Sequence, residues 1–351
     1  MLHIAALALL VPSLAASPQY RPVQIQDVGE TDVWTRHNLI GQGPRQEHAV
    51  VSLDDDIYVL GGVATSDSGE LNTINSAEYY QISEELWHVS APLPQPLNHL
   101  NVATVNGKIY LLGALSGGAN WTARGESYVY HPGNDSWTEI TSMPNGTARA
   151  SSAVGVLDDV IYLAGGMTYL DLTNNGTQDS VSTVSSYNVS SGAWYTYFPP
   201  LPQPRQHVGG AVVKGVFYVV GGREDGISGF ADSVYALDLG NPLSWRTMSP
   251  MPTARGGLAC AAVRYEIFCF GGEGNPDNER GIFEEVEVYD TRADSWIRLT
   301  NMPIPRHGTG AVSVGGRIYI PGGGLKEAAH PTGWFDSFKP KYQDERNTGK
   351  F

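Results

Sequence analysis

Five arginines, Arg45, Arg149, Arg205, Arg255 and Arg306, each stand at the head of similar stretches, of which RQHVGGAVVKGVFYVVGG from Arg205 is representative. A guanidinium is permanently charged and offers a planar fork of donors. Five of them gathered in one place would recognise a carboxylate, another anion or a polyhydroxylated molecule. The architectural alternative is that each arginine bonds carbonyls or an acid of a neighbouring unit and staples the two together. A sixth copy of the stretch carries Leu97 at this position, followed by His99 and Asn101. That break in the symmetry is what an asymmetric ligand needs.

Further polar residues follow the Gly-Gly pairs that end these stretches: Tyr169 and Asp171, Arg223, Glu224 and Asp225, Glu273 and Asp277, and Lys326, Glu327 and His330. A carboxylate beside arginines stays ionised and can serve as a base, whereas one shielded by aromatics can hold a proton. Glu224 and Glu273 are the candidate proton carriers. The five arginines with His99, Asn101 and Tyr169 are the candidate ligand-binding residues. His48, His99, His207 and His307 lie in or beside the lead segments, but they read as out of register with one another, and no His-x-His or Cys-x-x-Cys spacing occurs. The expectation is therefore no metal and no cofactor.

These residues need a scaffold that brings distant copies together, and the copies themselves describe it. RQEHAVVSLDDDIYVLGG, LNHLNVATVNGKIYLLGA, RASSAVGVLDDVIYLAGG, RGGLACAAVRYEIFCFGG and RHGTGAVSVGGRIYIPGG align with the Arg205 stretch without gaps. Each reads as a β-hairpin: a small-residue strand, a tight turn such as Asn106-Gly107, and an apolar strand. The second strands put Tyr58, Tyr110, Tyr162, Tyr218, Phe268 and Tyr319 in one column. Later in each unit Tyr80 and Trp87, Tyr130 and Trp137, Tyr187 and Trp194, and Tyr289 and Trp296 stand seven apart, while the fourth unit has Leu237 or Asp238 where a Tyr would precede Trp245.

A period of about fifty residues with these glycines, tyrosines and tryptophans resembles the kelch repeat. The resemblance implies an all-β, six-bladed propeller over residues 31–340. Val33-Trp34-Thr35-Arg36 looks like the last strand of a repeat, and the final unit has one strand from Trp334 to Lys339 with no Trp after it. The N-terminal strand is expected to complete that last blade and remove an open edge. In kelch proteins with understood ligands, among them an adaptor that captures an acidic peptide and bacterial sialic acid mutarotases, arginines at similar positions face the ligand. Galactose oxidase is similar in its propeller, yet its copper site, with a Cys cross-linked to Tyr, has no residue-by-residue match here. The Glu-x-x-x-Asp-x-x-x-His iron run of plant specifier proteins does not occur either.

The formal net charge of −14 argues against nucleic acid or an anionic membrane as partner. Residues 1–16, MLHIAALALLVPSLAA, read as a secretory signal peptide too short to span a bilayer, 17–30 as a polar lead, and 341–351 as a flexible tail. Asn120, Asn134, Asn145, Asn175 and Asn188 head N-glycosylation sequons. If Arg264 and Tyr265 form the hairpin turn, Cys260 and Cys269 oppose each other within disulfide reach. The sequence thus predicts a secreted, glycosylated, monomeric propeller without a membrane span. Its small molecule or glycan would sit at an arginine-lined channel mouth, where metal-free isomerisation or cyclisation is the chemistry available. The alternative is a non-catalytic module that holds a protein or cell-wall partner on the same face.

Overall fold

Small residues followed by β-branched and aromatic ones set up the innermost hairpin of each unit, and the computed structural model, which describes residues 33–340 except 175, 225 and 227, contains six of them. Their innermost strands are Ala49–Leu53, Val102–Val105, Ala153–Leu157, Gly209–Val213, Ala259–Val263 and Val312–Val314. Each pairs antiparallel with the next strand and forms the inner edge of one blade of a six-bladed β-propeller. The turns demand left-handed backbone, which Asn106 (φ 51°) and Gly107 (φ 69°) supply in the second blade.

The aromatic columns become packing between sheets. Tyr80 lies directly opposite Trp87, and Tyr130, Tyr187 and Tyr289 likewise oppose Trp137, Trp194 and Trp296. Seven residues is the spacing that a short hairpin between third and fourth strands imposes on facing positions. The indoles then reach the preceding blade: Trp137 donates to Ala91 O at 3.1 Å, Trp194 to Thr141 O at 2.9 Å, Trp245 to Pro199 O at 2.9 Å and Trp296 to Ser249 O at 3.0 Å. In these four repeats the tryptophan therefore buries area and ties its blade to the one before it.

The ring closes as the sequence predicts. Val33–Arg36 pairs with Phe335–Lys339, with Trp34 opposite Phe338, so the last blade takes its outer strand from the start of the chain. Cys260 and Cys269 are opposed and disulfide-bonded. In the second blade a longer hairpin replaces the expected loop. Elsewhere the second glycine after the inner hairpin is strongly left-handed, as at Gly62 (φ 102°) and Gly166 (φ 117°), which stops the strand. The second blade has Ala114 there, and its strands run on as Lys108–Gly117 and Asn120–His131, against which Tyr169–Asp171 docks. The expected signal peptide, polar lead and C-terminal tail lie outside the described residues. Among the described residues, no helix is long and apolar enough to cross a membrane.

Candidate functional site

The lead arginines end inside the blades. All five are at most 1% exposed, and none is among the residues that line the axial cavity. Arg45 Nη2 is 2.7 Å from Glu78 Oε1, Arg255 Nη2 3.2 Å from Glu287 Oε2, and Arg306 Nη1 2.7 Å from Asp336 Oδ2. Arg149 donates to the carbonyls of Gly165, Thr147 and Leu163 and to Ser185 Oγ. Arg205 donates to Gly221 O and Ser233 Oγ and also reaches Glu224 at 3.1 Å. Burial pushes the guanidinium of Arg255 down and the carboxyl of Glu287 up, and their mutual attraction offsets part of both shifts.

Glu78, Ser185, Tyr235, Glu287 and Asp336 share one repeat position, two residues before the aromatic or aliphatic residue that faces the tryptophan. In the second blade this position is Tyr128. Leu97, standing in place of arginine, packs with Tyr128 in one apolar cluster. Where the cation is missing, its acid is missing too, which is the pattern expected of an internal staple.

The channel mouth is built instead by the residue two places after each lead position: Glu47, His99, Ser151, His207, Gly257 and Gly308. All six have left-handed backbone, with φ between 51° at His207 and 63° at Gly257. They form a closed annulus. Glu47 N donates to Gly308 O at 2.7 Å, His99 N to Glu47 O at 2.8 Å, Ser151 N to His99 O at 2.9 Å, Gly257 N to His207 O at 3.0 Å and Gly308 N to Gly257 O at 2.9 Å. The sixth link runs from His207 N to Ser151 Oγ at 3.1 Å. Four non-glycine residues in this region hold strain of about 1 kcal/mol or more each, and the ring of hydrogen bonds sustains it.

His99 and His207, read from the sequence as out of register, therefore occupy the same repeat position. Their Nε2 atoms are 3.1 Å apart, and Glu47 Oε2 lies 3.1 Å from the first and 3.8 Å from the second. Both side chains are almost fully buried, and burial holds both imidazoles below the ordinary histidine range, His207 well below it. His99 Nδ1 lies 2.6 Å from Asn98 Oδ1, and His207 Nδ1 bonds Gln206 Oε1. The annulus forms one end of an axial cavity of about 480 Å³, lined otherwise by small and β-branched residues of the innermost strands together with His48, Leu100 and Leu258.

Beside the annulus, Glu273 bonds Arg223 through one oxygen, and its other oxygen is 3.5 Å from His307 Nδ1. Burial alone would raise the Glu273 carboxyl, but His307 and Arg223 outweigh it and hold the group far below the usual carboxylate range. His307 moves the opposite way: burial would lower it, yet Glu273 and Glu47 raise it to about 9. Arg223, Glu273 and Gly324 share one column after the glycine pairs, and the isolated bridges Gln206 with Arg223, Gly256 with Glu273 and His307 with Gly324 place that column against the lead segments.

The remaining candidates spread out. Asn101 is 1% exposed and bonds Leu112 O and Arg149 O, while its own oxygen takes Ser152 N–H, so it joins the second and third blades. Tyr169 is 40% exposed on a docked strand. Asn120, Asn134 and Asn145 are exposed and Asn188 half-buried, whereas Asn175 lies outside the described residues. Sequence reasoning found His99 but overlooked Glu47 and Ser151. The signal was present as a fixed offset of two from the lead position, hidden because six different needs give that column five kinds of neighbour and four residue types.

A rigid ring of six sheets with convergent polar groups at one end of its axis defines a binding propeller. The chain belongs to the kelch-repeat family, matching the KLHDC2/KLHL20/DRC7 Kelch-repeats domain over residues 23–222 and 172–338. It is 41% identical over 304 residues to the Kelch-like protein terF of Aspergillus terreus, covering 86% of this chain and 66% of that one. It is 24% identical to beta-scruin of Limulus polyphemus and 27% identical to human Kelch-like protein 23, over 77% and 81% of this chain but only 29% and 47% of theirs. The solved structure of YjhT superposes with a TM-score of 0.68 at 13% identity, covering 85% of this chain and 95% of that one, a likeness of fold.

Proposed function

We propose that this chain is a secreted, glycosylated binding propeller whose small-molecule site is the mouth of the axial channel, and that the ligand is a small anionic or polyhydroxylated molecule such as a sugar, glycan or acidic metabolite. The observation that carries the reading is the convergence of Glu47, His99, Ser151 and His207 on a cavity of about 480 Å³. A concave cavity walled mainly by small and β-branched residues, with a few polar side chains converging at one end, is what a preformed ligand site requires. The disulfide suits an oxidising compartment, and exposed sequons suit the secretory route.

Isomerisation or cyclisation by proton transfer, if the site performs it, runs through the two neutral imidazoles. Glu273 is held as an anion between two cations, and Glu224 is a partly exposed acid paired with Arg205, outside the cavity lining. The test is a thermal-shift screen of chelator-treated protein against sugars, uronic and sialic acids and small carboxylates. A ligand that raises the melting point of the wild type but not of His99→Ala supports the reading. Absence of any shift, with a protein or cell-wall partner retained on the same face, replaces it with the non-catalytic alternative.

A further inference from the structure

The annulus presents a chemical imbalance that a bound organic ligand does not resolve. Gln206 Nε2 donates to Gly226 O at 3.4 Å, which turns its Oε1 toward His207 and places the proton of that imidazole on Nδ1. Asn98 does the same for His99, with Nδ2 donating to Thr73 Oγ1 at 2.7 Å and Oδ1 taking the Nδ1 proton. Both Nε2 atoms are thus left with lone pairs, aimed at each other and at a carboxylate oxygen. Three acceptors face one point with no proton among them, and such a cluster is stable around a cation.

We propose that Glu47, His99 and His207 bind a divalent transition-metal ion of the zinc type at the mouth of the channel. Two metal–ligand bonds of about 2.0–2.1 Å at a tetrahedral angle hold their donor atoms roughly 3.3 Å apart. The separations here are 3.1, 3.1 and 3.8 Å, which straddle that value. The amides of Asn98 and Gln206 are the outer partners that metal-bound histidines use to fix tautomer and ring orientation. Two imidazoles and one carboxylate leave a fourth position for water or a bound molecule, and Gly257 and Gly308 themselves carry no side chain that could fill it. The two cationic groups nearby, Arg223 and His307, are both turned to Glu273. The inference goes beyond the ligand reading and does not depend on it.

The experiment uses the full chain, carrying no polyhistidine tag, stripped with chelator and titrated with Co(II) and then Zn(II) in the absence of any organic ligand. About one equivalent of Co(II) per chain is expected, with the strong visible absorption of a four-coordinate ion and displacement by Zn(II). His99→Ala and His207→Ala should abolish that spectrum, Asn98→Ala should weaken affinity about 10- to 100-fold while keeping the stoichiometry, and His88→Ala, on the outer face, should change nothing. Failure of the wild type to take up more metal than a folded His99→Ala/His207→Ala double variant overturns the proposal and leaves the pair sharing a proton. Because this measurement contains no ligand and the ligand screen contains no metal, either reading can fail alone.

Discussion

His99 and His207 are 108 residues apart in the chain, yet their Nε2 atoms meet at 3.1 Å across the axis of the propeller. They belong to the second and fourth blades, and the residue at the same position of the blade between them is Ser151. A small residue there lets the two imidazoles close over it, and its hydroxyl accepts the His207 N–H. Ser151→Val should remove that acceptor and place a branched side chain between the rings. We expect the apparent ligand affinity to fall at least tenfold, and stability to fall by more than the about 1–3 kcal/mol of the unsatisfied amide because a β-branched residue at the left-handed φ of 53° adds strain, read by urea titration.

The lead arginines make a second prediction. Arg255 and Glu287 are fully buried partners, so removing one leaves an uncompensated charge. Arg255→Leu alone and Glu287→Tyr alone should each destabilise the fold by about 3–5 kcal/mol. The double substitution reproduces the Leu97 and Tyr128 pair that the second blade already uses. It should recover most of that loss, and a double-mutant cycle in urea would display the coupling. Additive losses would mean that the two groups do not act as one staple.

Most of the architecture was legible because every blade repeats the same local instructions. The Tyr and Trp seven apart, the glycine pairs and the orphan strand at Val33 each appear several times or have an evident missing partner, so the hairpins, the blade count and the closure follow from the sequence. The mouth was less legible. Its geometry depends on Glu47, His99 and His207, a column whose residue type changes from blade to blade, and the shared offset acquires meaning only once the annulus is closed by hydrogen bonds between blades. The arginines misdirect for the opposite reason. Their regularity draws attention, whereas their partners lie in the third strand at a position that varies among Glu, Ser, Tyr and Asp.

The disulfide between Cys260 and Cys269 closes a short hairpin of the fifth blade. Replacing both cysteines with Ala should lower stability by about 2–3 kcal/mol, the amount that chain entropy gives for so small a loop. The fold should persist, because the strands remain paired from Ala259 to Phe270. Chemical denaturation with and without reductant checks this: the wild type should lose stability on reduction and the double variant should not respond.

The ion cluster at Glu273 gives stability a pH dependence whose sign can be worked out. Glu273 and Glu47 raise the folded His307 imidazole to about 9 against the effect of burial, while an unfolded chain returns it to the ordinary histidine value of 6.5. A raised folded value means that the stabilisation is fully present below 6.5 and is lost as pH climbs through about 9. The shift corresponds to roughly 3 kcal/mol. Chelated wild-type protein should therefore lose stability between those limits, while His307→Gln should be less stable at pH 6 and nearly flat over the same interval. Glu273 acts in the other direction: its folded value is depressed, so its contribution is present above the ordinary carboxylate range and disappears only as pH falls well beneath it. Between the two titrations the cluster is fully charged, and its contribution to stability is greatest there.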